Sequence, residues 1–251
     1  MKVARQLFLL CISAVFTLQL FFLMKICWMS IVPTQSSSFQ RSETWRIIEN
    51  YGSLKWQQKW ITYSTISSHL KRAVIAAEDA DFIYHGGVEW DAIKQAWLKN
   101  SKAVELAEQR AQRNANALGN SKQKPIRAPK IIGGSTITQQ LAKNIFLSGE
   151  RTFFRKAQEF VLTVLIEFIL SKQQILEIYL NNVEWGEGIY GAEAAAQHYF
   201  KKSAMLLNEY EAAKLAVMLP RPKFYERNLS SSYLMNRTAT IVARLSDAEI
   251  P

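Results

Sequence analysis

The chain has 251 residues, 49% of them hydrophobic and 12% aromatic, which is ample for a core and excludes a disordered or collagen-like polypeptide. Lys and Arg number 31 against 21 Asp and Glu, a formal charge of +10, so an anionic partner is expected: nucleic acid, phosphate or an acidic membrane surface. The two cysteines, Cys11 and Cys27, are too few for a disulfide scaffold.

The first predicted element is a membrane span. Residues 6–24 carry no charge, Lys25 interrupts, and residues 26–32 continue apolar. About 20 apolar residues cross a bilayer as a helix, so a span is placed at 7–32. Lys2 and Arg5 precede it, which keeps residues 1–6 cytoplasmic. Lys25 is expected to snorkel to the interface beside Trp28. A cleaved signal peptide is the competing reading, but its apolar part is usually shorter, ~7–15 residues. Both cysteines lie inside the span, roughly 24 Å apart on a helix and beyond disulfide reach.

Residues 33–44 read as an exposed Ser-, Thr- and Gln-rich tether, and 45–60 as a packed, aromatic entry to a domain at 45–251. Helical spacing then dominates. Leu70, Ala73, Val74 and Ala77 recur at three and four within 64–77. A Gly86-Gly87 break follows, and helical spacing resumes at 90–98. Thr136 with Gln139, Ser171 with Gln174 and Asn208 with Glu211 form capping-box pairs that predict helix starts, the last helix ending before Pro220. Residues 155–170 make a strongly apolar helix. No strand–helix alternation appears, so the fold class is mainly α. Residues 99–130 stand apart as a basic insert, with eight Lys or Arg and two Glu. It reads as a solvated loop with some helix, or as a contact for a membrane surface or an anionic substrate.

Several short patterns carry nothing. Gly186, Gly188 and Gly191 form G-x-G-x-x-G, but a helix-like segment precedes them where a dinucleotide site needs a strand. Ser68-x-x-Lys71 and Ser121-x-x-Lys124 lack the downstream motifs of penicillin-binding enzymes. His69, His85 and His198 have no metal-ligand spacing, so no zinc or other metal site is expected.

The carboxylates say more. Glu78 and Asp79 close an apolar helical run, where partial desolvation raises a pKa and improves a base. Glu159, Thr163 and Glu167 recur every four residues and form one polar stripe on an apolar helix. Arg155 lies four before Glu159, so a plain intrahelical ion pair is the simpler account. Gln140, Lys143 and Asn144 share a helix face. Thr136 lies at the N-terminus of that helix, where backbone N–H groups favour anions, and Lys143, Arg155 and Lys156 suit a phosphate.

Together these segments closely resemble the family 51 glycosyltransferases, the peptidoglycan polymerases. The first matching motif is Glu78-Asp79-Ala80-Asp81-Phe82-Ile83-Tyr84-His85-Gly86-Gly87. The second runs from Gly134-Ser135-Thr136 to Lys143-Asn144, and the third is Arg155-Lys156-Ala157-Gln158-Glu159. The fourth ends in Ile178-Tyr179-Leu180-Asn181, and the fifth spans 188–201. All five stand in family order and cover about residues 66–222. No transpeptidase domain is expected, so the resemblance is to the monofunctional biosynthetic members of Gram-negative bacteria.

The resemblance implies a lysozyme-like helical fold of two lobes around a cleft. It implies lipid II as acceptor and a growing glycan, still on its polyprenyl pyrophosphate, as donor. Glu78 would be the general base on the acceptor 4-hydroxyl, which attacks the donor's anomeric carbon with inversion to a β-1,4 bond. Glu159 would assist at the pyrophosphate through a cation or a hydrogen bond, with Lys143, Arg155 and Lys156 stabilising leaving-group charge. Asp79, Phe82 and His85 would shape the base's pocket, and Thr136, Gln140 and Asn144 would hold substrate polar groups. Tyr179 and Asn181 read equally as structural. No cofactor is obligatory, and a Mg or Mn ion at the pyrophosphate is compatible. The expected setting is the bacterial inner membrane, single-pass, with the catalytic domain periplasmic. Other cell-wall synthesis proteins are compatible partners, and nucleic acid is not one. Phe146, Leu147, Phe153 and Phe154 suit partial insertion into the bilayer, or ordinary core packing. The insert at 99–130 is longer and more basic than its family counterpart. A glycan-cleaving lysozyme-like enzyme and an inactive membrane-anchored scaffold are the alternatives.

Overall fold

The computed structural model describes residues 2–34, 36–117, 134–147 and 152–251. Among these the chain is mainly helical, as the capping boxes and spacing predict. The chain divides into two compact units, one of Met1–Gly87 with Thr136–Pro251, the other Val88–Ser135.

In the larger unit, α1 (Lys2–Met29) is long and apolar enough to cross a membrane, and most of it is uncovered. It fits a single-pass anchor. Its C-terminal part is not merely an anchor, because Phe22, Ile26 and Met29 are buried in the core. Phe22 meets Phe146 edge-on at 5.6 Å. A cleaved leader would take these core side chains with it. Lys25 lies 4.9 Å from the Phe146 ring centroid, a cation–π contact.

Helix α2 (Ser38–Tyr51) corrects the tether expected at 33–44. Ser37 and Gln40 form a capping box, both are buried, and Gln40 Nε2 donates to Asn182 O at 3.0 Å. The Ser-x-x-Gln signal lay inside a polar stretch that read as linker. The domain therefore begins before residue 45, and Trp45 is exposed instead of packed.

The helices that follow are α3 (Ser68–Glu78) and, as the second unit, α4 (Trp90–Ala117). Thus the first part of the basic insert is helix, and residues 118–130 lie outside the described residues. Next come α5 (Ile137–Phe146), α6 (Phe153–Ile169), α7 (Lys172–Asn182), α8 (Ala192–Phe200), α9 (Glu209–Met218), α10 (Pro222–Glu226) and α11 (Ser232–Val242). All three predicted capping boxes, at Thr136, Ser171 and Asn208, are formed. Helix α3 packs on α9 and α11, and α5 packs on α6 and α7.

A small sheet joins β1 (Gln57–Gln58), β2 (Glu184–Gly186) and β3 (Ile189–Tyr190) in the order β1-β3-β2. Gly188, at φ 77°, accepts from Gln57 N at 2.8 Å, and a Cβ there would lie 2.4 Å from Lys55 O. The glycine run expected not to bind a dinucleotide is a strand turn that lets β1 approach.

Candidate functional site

Glu78 is the last residue of α3. Ala73, Val74 and Ile75 before it are buried, so its carboxylate leaves the protein at the end of an apolar helix. Burial raises its pKa above the ordinary carboxylate value, and the charge of Asp79 adds to the rise. The Gln140 hydrogen bond and the cations Lys143 and Arg237 oppose it. Gln140 Nε2 donates to Glu78 Oε2 at 2.8 Å. Tyr179 OH donates to Gln140 Oε1 at 2.9 Å, and this fixes which end of the amide faces Glu78. Gln140 is therefore set against the first carboxylate by a fully buried tyrosine.

Asp79 turns the other way. Its Oδ2 accepts from Ile137 N at 2.9 Å, and its Oδ1 is 2.7 Å from His85 Nε2. His85 Nδ1 accepts from Gly87 N at 3.1 Å, so the ring proton sits on Nε2 and is donated to Asp79. Thr136 Oγ1 accepts from Gln139 N at 3.2 Å and donates to Gly87 O at 2.6 Å. Phe82 is fully buried, edge-on to His85 and with the Lys172 ammonium over its ring. Asp79, Phe82 and His85, expected to shape the pocket of Glu78, and Thr136, expected at substrate polar groups, all lie at the joint of α3 and α5. Their polar atoms are engaged internally, and they brace the start of α5 against the end of α3.

Gly87 is required at this brace. Its φ is +84°, and a Cβ there would lie 2.7 Å from both Glu167 Cγ and Thr163 Cγ2 of α6. Glu167 Oε1 accepts from Thr138 Oγ1 at 2.5 Å and from Lys172 Nζ at 2.8 Å, and Lys172 also donates to His85 O at 2.6 Å.

The polar stripe on α6 faces inward. Glu159 is 3% exposed and Thr163 is fully buried. Arg155 Nη1 donates to Glu159 Oε2 at 3.2 Å, and Lys156 Nζ donates to Glu159 Oε1. The simple ion pair is present, then, but it is buried on the carboxylate side. Thr152 caps the helix through Arg155 N at 3.2 Å. Arg155 Nε is buried and, among the described residues, has no hydrogen-bond partner.

Lys143 lies on α5 one turn from Gln140, with Asn144 half-buried next to it. Solvent reaches Lys143, yet surrounding protein partly desolvates it and lowers its pKa. Arg155 and Lys156 lower it further, whereas Glu159 and Glu78 raise it. One ammonium is thus coupled to both carboxylates, and three cations gather around Glu159. The arrangement can accept a proton at Glu78 and neutralise an anion beside Glu159.

Sequence reasoning did not assign Lys172, Thr138 or Arg237 a role. Arg237 lies on α11 and carries no local motif, so only the packing of α11 on α3 could reveal it. Asn181 is structural: its Oδ1 accepts from Ile61 N at 2.9 Å, and its Nδ2 donates to Ile61 O at 2.9 Å. The four bilayer candidates divide. Phe146 is core and Leu147 half-buried, while Phe153 and Phe154 are 82% and 85% exposed.

Fold and site define a class, a helical domain behind an apolar N-terminal helix that fits a membrane anchor, with a raised-pKa carboxylate at Glu78 and a cation cluster around Glu159. A sequence model of the transglycosylase family matches residues 46–112 and 113–246. The chain is 44% identical over 242 residues to the biosynthetic peptidoglycan transglycosylase of Bordetella pertussis, covering 96% of this chain and 91% of that one. Like-named proteins of Paraburkholderia phytofirmans and Herminiimonas arsenicoxydans are 45% and 42% identical. The former alignment covers 93% of this chain and 87% of the relative, the latter 100% of both. The chain belongs to the transglycosylase family.

Proposed function

We propose that this chain is a peptidoglycan glycosyltransferase that polymerises lipid II into β-1,4-linked glycan with release of polyprenyl pyrophosphate. The observation that carries the reading is the pairing of a partly exposed, raised-pKa Glu78 with a cation cluster around buried Glu159. Family membership and the names of the relatives support the same activity.

Glu78 removes the proton from the acceptor 4-hydroxyl, and that oxygen forms the new bond to the donor's anomeric carbon. The bond from that carbon to the pyrophosphate oxygen breaks, and its electron pair leaves with the lipid pyrophosphate. Arg155, Lys156 and Lys143 stabilise the charge that develops there. Glu159 alone would repel the pyrophosphate. Each of its oxygens holds one cation instead, which aims Arg155 and Lys156. Half-buried Asn144, beside Lys143, is a donor for substrate oxygens. A divalent cation does not fit this donor set. Both Glu159 oxygens are occupied by cationic side chains, and three positive charges surround them, so no step runs through a metal.

The site belongs at a membrane surface. Helix α6 packs beside α1 and leaves Phe153, Phe154 and Phe168 exposed, at 82%, 85% and 87%. These suit the interfacial layer of a bilayer. With Lys2 and Arg5 on the cytoplasmic side, the catalytic domain lies in the periplasm against the inner membrane. A glycan-cleaving enzyme has no use for this cation cluster, and a scaffold has none for Glu78.

The test is polymerisation of lipid II in detergent by wild type and Glu78→Gln. Polymer from wild type and a rate at least about a hundredfold lower in a folded Glu78→Gln are expected. Full activity in Glu78→Gln would refute the base assignment.

A further inference from the structure

We propose that Gln19 and Gln158 form a clamp between the membrane helix and α6 that positions Glu159, Arg155 and Lys156 for catalysis. The inference rests on the reading that these three residues serve the donor pyrophosphate.

The side of α1 that docks on the domain is Gln19, Phe22, Leu23, Ile26, Met29 and Ser30, a three-and-four spacing within an otherwise exposed helix. Gln19 stands at the end of this stripe farthest from the helix C-terminus, roughly 15 Å along the axis from Met29. Two hydroxyls of the span, by contrast, bond within their own helix. Ser13 donates to Leu10 O at 2.9 Å, and Thr17 to Ser13 O at 2.8 Å. Gln19 instead reaches across to α6. Its Nε2 donates to Gln158 Oε1 at 2.8 Å, and Gln158 Nε2 donates back to Gln19 Oε1 at 3.1 Å. In hydrocarbon, lipid offers neither amide a substitute partner.

The location of the pair gives it a consequence for the site. Gln158 precedes Glu159 directly and lies within one turn of Arg155 and Lys156. The two ion pairs of Glu159 are internal to α6, so they do not hold that helix in place. The far end of α6 is tied through Glu167 to Thr138 and Lys172. At the near end, Phe153 and Phe154 are almost wholly exposed. The reciprocal amide pair is a directional tie at that end. A small rotation or slide of α6 on loss of the pair moves the carboxylate and both cations together. The membrane helix therefore acts as part of the active-site scaffold.

The experiment uses the full chain in lipid nanodiscs with lipid II, comparing Gln19→Leu, Gln158→Leu and the double variant. Each single variant is expected to lower kcat about three- to tenfold, with KM little changed because no substrate contact is removed. Two leucines leave no orphaned amide, so the double variant should regain thermal stability. Its kcat should stay low, because leucines pack without fixing register. Should a single variant fail to insert, the double variant carries the test. Unchanged kcat in the variants, or recovery of kcat together with stability in the double, would overturn the clamp. Glu159→Gln in the same assay separates the two readings: a wild-type rate there overturns the pyrophosphate role on which the clamp rests.

Discussion

The basicity of Glu78 results from opposed effects that differ in origin. Burial at the end of α3 and the neighbouring Asp79 charge raise its pKa, and the Gln140 amide lowers it. In the proposed reaction Glu78 works only when deprotonated, so the rate is expected to fall as pH drops through that pKa. Removing the Gln140 donor removes a stabiliser of the charged form. In Gln140→Leu, the acid limb of the kcat/KM profile is therefore expected to move to higher pH than in wild type. An unmoved limb would mean that this hydrogen bond is absent during turnover. Tyr179 acts on the same group at one remove, because its hydroxyl orients the Gln140 amide.

Among the elements, the first motif is mostly a joint. Asp79 holds the first N–H of α5, His85 holds Asp79, and Thr136 ties back to Gly87. This joint keeps the end of α3, which carries Glu78, next to the start of α5, which carries Gln140 and Lys143. Gly87 lies against α6 in a conformation that L side chains rarely adopt. Gly87→Ala should destabilise the fold by roughly 1–3 kcal/mol from backbone strain, before any cost of displacing Glu167 and Thr163. A lower thermal midpoint, with a polymerisation rate reduced even well below it, is the expected result. A midpoint equal to that of wild type would show that α6 yields without cost.

For the whole molecule, the C-terminal part of α1 belongs to the core. Phe22, Ile26 and Met29 are buried, and Gln174 Nε2 donates to Ser30 O at 3.2 Å. A chain lacking residues 1–32 exposes Phe146 and the docking side of α6. It is expected to remain detergent-dependent and to unfold at a lower temperature than the full chain. A truncated protein that is monomeric without detergent and unchanged in stability would show that the docked stripe contributes little. The exposed phenylalanines of α6 add to the same dependence.

The sequence by itself determined what local physics can encode. The span followed from an uncharged run, and three helix starts followed from capping boxes that satisfy orphan N–H groups. The polar stripe of α6 followed from four-residue spacing, and its inward facing only from the packing. Glu78, Gln140, Lys143, Arg155, Lys156 and Glu159 were legible because ordered motifs carry them. What the tertiary structure decided was where each side chain points and what it meets. Asp79, Phe82, His85 and Thr136 share motifs with the residues proposed to face substrate, and only packing shows that they brace α5 against α3. Ser37 and Gln40 read as linker because a polar cap and a polar tether have the same composition. The docked side of α1 was invisible for a related reason. In a uniformly apolar helix no periodicity marks which face meets protein and which meets lipid, so only the partner surface selects it.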